Sequence, residues 1–275
     1  MGPTVLRGGT NGASEPPGAR VRAAAATRGG GFLVHTCDVA GSDLMEGTEV
    51  RKLAALEDKH WWYAERRHLL GQMLKGRTPG KALDIGAAGG GNTRVLRDLG
   101  WQASPIEYGP EGAEVCRDRG LPVMRADATL LPLADASLDL VSAFDVLEHL
   151  EDDDACVREV RRVLKPGGTF LVAVPADPKL WSAHDDAVDH VRRYTRRTLT
   201  DVLEREGMHL VSMTSWNVLL RPVVMVRRKK STGSDLEDMH PVVNAGLKAI
   251  VTAERFLPVK KLPGVSLFAE VRRTV

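Results

Sequence analysis

From about residue 82 onward, apolar positions fall in short runs separated by amphipathic stretches. The runs predict strands at Ala82–Ile85, Ala103–Ile106, Pro122–Met124, Leu138–Phe144, Thr169–Val174, His209–Ser215 and Val265–Val271. Helical spacing predicts helices over Asn92–Leu99, Glu111–Arg119, Asp153–Leu164 and Arg197–Glu206. Buried strands that alternate with helices imply a parallel sheet with helices on both faces, the α/β class. Lys165-Pro166-Gly167-Gly168 stops a helix and turns the chain into the next strand. Upstream, Glu49–Leu74 reads as helical until Thr78-Pro79-Gly80 breaks it. Downstream, Val218–Lys230 is first apolar and then basic, Ser231–Asp238 is a polar linker, and Val242–Phe256 is helical.

Composition narrows the classes. A chain of 275 residues holds one large α/β domain or two small ones, and 43% apolar residues supply a substantial core. Thirty-eight basic against 36 acidic residues leave a net charge of +2, which argues against a general nucleic-acid binder. Cys37, Cys116 and Cys156 lack metal-ligand spacing and form no disulfide framework, so a reducing, cytoplasmic setting is expected. No apolar run reaches the ~18 residues of a membrane span. Arg22-Ala23-Ala24-Ala25-Ala26 lacks the apolar region of a signal peptide. Residues 1–44, rich in Gly, Ala, Pro and Ser, read as a disordered tail, and Met45 is a candidate start of the functional protein.

The chemistry gathers at strand ends. Gly86-Ala87-Ala88-Gly89-Gly90-Gly91 is a tight turn from the first strand into a helix. Such a turn brings backbone close to a ligand and aims helix N-terminal N–H groups at it. Taken alone, it also passes as a degenerate dinucleotide fingerprint. Asp84 precedes the loop, where it can bind an ammonium group or hold the loop. Glu107 closes the second strand, where one carboxylate can accept from both ribose hydroxyls. Asp127 follows the third strand, placed to accept from an exocyclic adenine amine. Their bland reading is turn acids and helix caps.

Asp84-Ile85-Gly86-Ala87-Ala88-Gly89-Gly90, Glu107, Ala126-Asp127-Ala128, Leu138-Asp139-Leu140-Val141 with Asp145-Val146-Leu147-Glu148-His149, and Leu164-Lys165-Pro166-Gly167-Gly168 together resemble the class I, Rossmann-like S-adenosylmethionine-dependent methyltransferases that act on small molecules. The resemblance covers about residues 81–175. It implies a seven-stranded, mostly parallel sheet whose last strand is antiparallel. It also implies a helical cap over 45–78, a core over 79–217, a lid insertion over 218–258 and the last strand within 259–275. It implies S-adenosyl-L-methionine as cofactor, its methionine part on the loop, its ribose at Glu107 and its adenine at Asp127. Asp84, Gly86, Ala87, Ala88, Tyr108, Ala128, Phe144 and Asp145 fall at the same strand ends. The family's middle glycine is Ala88 here, a methyl group that narrows the loop.

Methyl transfer needs the acceptor held in line, water excluded and, where needed, a proton removed. His149 follows the fourth strand, either as a base or, with Glu148, as the start of the next helix that pins the loop. His184 and His190 lie in Leu180-Trp181-Ser182-Ala183-His184-Asp185-Asp186-Ala187-Val188-Asp189-His190-Val191-Arg192-Arg193-Tyr194, and Asp185 or Asp189 could orient an imidazole. The same run could instead be a polar network that fastens a lid. A metal set of His184, Asp185 and His190 is disfavoured, because adjacent residues rarely ligate one ion well. This run, with His60-Trp61-Trp62-Tyr63, resembles a bacterial subgroup of the family. Trp61, Trp62, Tyr63, Trp181, Arg193 and Tyr194 are the candidate acceptor contacts, and Arg66 or Arg67 could reach the cofactor carboxylate. Arg221–Lys230 reads as a lid helix, or less readily as a contact with a lipid-like acceptor. The expected partner is a small-molecule acceptor for a monomer or homodimer, with no nucleic acid. Competing readings are a nicotinamide-dependent oxidoreductase and a non-catalytic cofactor-binding protein.

Overall fold

The computed structural model describes residues 47–228 and 239–274; the expected tail 1–44, Met45 and the linker 231–238 lie outside them. Seven strands form one sheet in the order β3-β2-β1-β4-β5-β7-β6. They are β1 (Lys81–Ile85), β2 (Gln102–Glu107), β3 (Met124–Arg125), β4 (Leu138–Phe144), β5 (Leu164–Pro175), β6 (Met208–Trp216) and β7 (Ser266–Arg273). β1 to β5 pair in parallel, while β7 runs antiparallel to both β5 and β6, as the resemblance implies.

Helices α3 (Gly91–Asp98), α4 (Pro110–Asp118), α5 (Asp153–Val163) and α7 (Arg196–Arg205) connect the strands. The central strands are buried on both faces, so they read as continuous apolar runs. In β5, Phe170, Val172 and Val174 join Val157 and Val160 of α5 and Leu199 and Leu203 of α7. Leu171 and Ala173 point the other way, to Leu70 and Leu74 of α2 (Trp61–Leu74), Leu96 of α3 and Val251 of α9 (Pro241–Glu254). That alternation is the period-2 geometry of a strand.

Three local expectations change. The helix predicted over Glu49–Leu74 is two helices, α1 (Gly47–Glu57) and α2. His60 sits between them in extended backbone, and its ring accepts from the Trp62 N–H as an N-cap. The third strand, expected at Pro122–Met124, is only Met124–Arg125 at the sheet edge. Glu148 and His149 do not open the next helix. They form a separate 3-10 turn, Leu147–His149, and α5 starts at Asp153, where Asp152 accepts from the Ala155 N–H. Between β6 and β7 stand α8 (Arg221–Arg228) and α9, the segment expected as a lid.

Candidate functional site

One cavity of about 310 Å³ opens at the carboxyl ends of the central strands. Gly86, Ala87, Ala88 and Asn92 line one side of it, and His149, His184, His190 and Arg193 line another. Trp61, Trp62, Tyr63, Arg66 and Arg67 of α2 reach it, as do Val223, Val224, Arg227 and Arg228 of α8 and Leu247 of α9. The crevice beyond the carboxyl ends of parallel strands is where open α/β folds bind ligands.

The glycine loop is held from below. The Gly86 N–H donates to the Ile106 carbonyl at 3.0 Å, and Gly86 has φ +65 with space for no Cβ, since one would lie 2.6 Å from Val146. Ala88 adopts φ +47 without being glycine. Asp84 is buried beneath the loop and accepts from Thr93 Oγ1 and Ser142 Oγ, each at 2.7 Å. It thus ties the end of β1 to α3 and β4 and does not line the cavity. Burial lifts its carboxyl to about 6. Glu107 turns inward and accepts from the Ala88 N–H. Burial, then the neighbouring Asp84 and Glu57 charges, push Glu107 up to about 7. Glu57 of α1 accepts from the Gly91 N–H at 2.9 Å, at the first residue of α3. This end of the site is therefore built from carboxylates.

Arg66 forms the opposite pole. Its guanidinium carbon lies 5.4 Å from the Trp62 and Phe144 ring centres, 5.8 Å from Trp216 and 5.1 Å from Phe268. It pairs with Asp145 Oδ2 at 2.7 Å while only 4% exposed. A cation in an aromatic box, desolvated on several sides, gains about 2 kcal/mol or more from the ring faces. Arg67 donates to the Glu57 carbonyl at 2.7 Å. Asp145 and Asn217, both lining the cavity, hold φ +58 and +60. Left-handed backbone at non-glycine residues gathers at ligand sites more than elsewhere.

The histidines are assembled by the chain after β5. Ser182 and Asp185 form a reciprocal capping box that opens α6 (Ala183–Ala187). The fully buried Asp185 then collects His190 Nδ1 at 2.8 Å and Arg193 Nε at 2.7 Å on one oxygen. Val191 N–H donates to the Glu148 carbonyl at 2.8 Å, which sets this segment against the 3-10 turn. The rings of His149 and His190 stand 4.8 Å apart, those of His184 and His190 6.1 Å apart. Burial, then the His190 charge, lower His149 to about 4. Glu148 is pushed well above the usual carboxylate range by burial and by Asp145.

Several expected contacts lie elsewhere. Tyr194 does not line the cavity: it is 2% exposed, its hydroxyl 2.5 Å from Asp153 Oδ2 and 3.1 Å from the Leu147 carbonyl, so it ties the 3-10 turn to α5. Trp181 is 40% exposed outside the cavity and donates from Nε1 to Asp186. Tyr108, Asp127 and Ala128 also lie outside it. Asp127 accepts from the Thr129 N–H and hydroxyl at 2.7 Å each, an Asx-type turn. Phe144 lines the cavity, and its ring also packs edge-on against Phe268. Asn92, Glu57 and Asn217 were missed. Asn92 was findable as the first polar side chain after the glycines; Asn217 and Glu57 carried no local signal.

The model of a methyltransferase domain matches residues 83–172, which run from β1 to β5. A Mycolicibacterium smegmatis protein, named a probable S-adenosylmethionine-dependent methyltransferase, is 31% identical over 59% of this chain and 65% of its own length. The chain thus spans just under two thirds of that relative. A ubiquinone biosynthesis O-methyltransferase of Xanthomonas campestris is 31% identical over 46% of this chain and 60% of its own. Among solved structures, Haemonchus contortus phosphoethanolamine N-methyltransferase 2, in complex with S-adenosyl-L-methionine, superposes with TM-score 0.54 at 16% identity. That superposition covers 77% of this chain and 53% of the other, a likeness of fold.

Proposed function

From the methyltransferase-domain match over residues 83–172 we propose that this chain is a class I S-adenosylmethionine-dependent methyltransferase that transfers the sulfonium methyl group to an oxygen of a small-molecule acceptor. The observation that carries this reading is the shared cavity, with the Gly86–Ala88 backbone on one side and three imidazoles on another. The carboxylates Asp84, Glu107 and Glu57 behind the loop suit a ligand bearing a sulfonium and an ammonium group. Arg67, beside the loop, is assigned to the methionine carboxylate. Glu107 serves the ribose after releasing the Ala88 N–H, and Asp127 serves the adenine. α2, α8 and α9 exclude water over the acceptor. Likeness to an O-methyltransferase supports oxygen as the acceptor atom.

In the reaction the acceptor oxygen attacks the methyl carbon, the carbon–sulfur pair returns to sulfur, and the hydroxyl proton passes to an imidazole. We assign that proton to His184, because the His149 and His190 rings face one another. Metabolites from the host's own gene neighbourhood, screened for S-adenosylhomocysteine formation, identify the acceptor. His184→Ala then lowers turnover about 10²-fold or more while calorimetry finds unchanged cofactor affinity. Unchanged turnover removes His184 as base. Absence of S-adenosylmethionine binding by the full chain removes the whole reading.

A further inference from the structure

Glu148, His149 and His190 bring a carboxylate oxygen and two ring nitrogens within 4.8 Å of one another. Glu148 is 0% exposed, and among the described residues neither of its oxygens accepts a hydrogen bond from another residue. His190 Nε2 lies 3.9 Å from Glu148 Oε1, too far for a hydrogen bond. A buried carboxylate in that state is costly unless it keeps its proton or meets a cation.

One imidazole is oriented from behind. His190 Nδ1 faces Asp185 Oδ1 at 2.8 Å. That ring therefore has one nitrogen engaged by an oxygen, which leaves its second nitrogen for the space shared with Glu148 and His149. Metal-ligating histidines are held in this way, by a carboxylate or carbonyl on the far nitrogen.

We propose that Glu148, His149 and His190 form a site for a divalent first-row transition-metal ion, open toward the cavity. Two imidazoles and one carboxylate with free positions suit iron(II), zinc and their neighbours in the series. Metal–ligand distances of about 2.1 Å require donors about 3 to 3.4 Å apart, so the three side chains close by on the order of 1.5 Å. Glu148 and His149 are adjacent in sequence, yet the tight Leu147–His149 turn brings donors of both within that reach. His149 and His190 line the cavity, which gives the ion its access. Resting on the methyl-transfer reading, the ion would hold the acceptor oxygen while His184 takes its proton. The metal site itself does not depend on that reading.

The test uses tag-free full-length protein stripped with chelator, with no methyl donor present. Cobalt(II) is followed by its visible absorption and zinc(II) by calorimetry. One equivalent of each is expected to bind, weakened at least tenfold in His190→Ala and in the isosteric Glu148→Gln, and unchanged in His209→Ala, an exposed histidine on β6. Thermal melts with and without zinc report whether each variant folds, and only the wild type and His209→Ala should gain Tm. Binding to the wild type no tighter than to folded His190→Ala or Glu148→Gln overturns the proposal, and leaves Glu148 a protonated member of a structural network. Cofactor binding, measured separately by calorimetry, fails or succeeds independently of this result.

Discussion

Replacing Tyr194 with Phe removes one oxygen and keeps the ring. That oxygen lies 2.5 Å from Asp153 Oδ2 and 3.1 Å from the Leu147 carbonyl, and its single proton goes to the carboxylate. Asp153 is 5% exposed, so the lost bond leaves a carboxylate oxygen stranded away from water. Hydrogen bonds to charged groups contribute about 1.5–3 kcal/mol. Arg192 Nη1 still pairs with the other Asp153 oxygen at 3.0 Å, which favours the lower half of that range. For a domain of this size about 1 kcal/mol moves Tm by roughly 2–4 °C, so Tyr194→Phe should melt roughly 3–8 °C lower. Cofactor affinity by calorimetry should stay within about twofold, because the side chain does not line the cavity. Differential scanning calorimetry and steady-state kinetics with the identified acceptor complete the assay. An unchanged Tm with acceptor KM raised tenfold would refute the reasoning and restore Tyr194 to the acceptor.

Ala88→Gly should raise Tm by about 1–3 °C: φ +47 strains alanine by roughly 1–2 kcal/mol, and glycine's greater freedom when unfolded offsets only part of that. A lower Tm in that variant would show that the methyl group packs favourably. Asp84 and Glu107 keep protons, to about 6 and about 7, that the unfolded chain loses near its ordinary values of 3.8 and 4.5. The folded state therefore binds more protons in this window, and the ligand-free contribution of these groups to stability falls as pH rises from about 4 to 7, then levels off. A sulfonium ligand at the loop favours the ionised carboxylates, so binding near pH 6.5 should release protons and at pH 8.5 should not. Calorimetry in buffers of different ionisation enthalpy measures this, and zero release at pH 6.5 would sink the assignment.

The strand and helix pattern was legible because it is local. β4 is found at Leu138–Phe144, the run that the sequence predicts, because its apolar residues are contiguous and turn residues flank it. The glycine loop was legible for the same reason: a tight turn needs residues tolerant of positive φ at fixed spacing. Boundaries that depend on tertiary partners were less so. The sheet-edge β3 is shorter than expected, and α1 and α2 part where His60 turns its ring to cap the next helix.

By itself, then, the sequence determined the α/β alternation, the loop and the acids at the strand ends, since backbone periodicity and turn chemistry act over a few residues. Which of those acids face a ligand was a tertiary decision. Asp84 spends both its oxygens on Thr93 and Ser142, whereas Thr129 takes only Oδ1 of Asp127. Arg66 and Arg67 are neighbours in the chain, yet only Arg66 enters the aromatic box, because helical geometry points adjacent side chains in different directions. Glu148 follows β4 and His190 lies in the segment after β5, and the parallel pairing of β4 with β5 brings both segments to one end of the sheet. No local pattern encodes that meeting. It exists only because both strands are buried in the same sheet and their carboxyl ends open into one cavity.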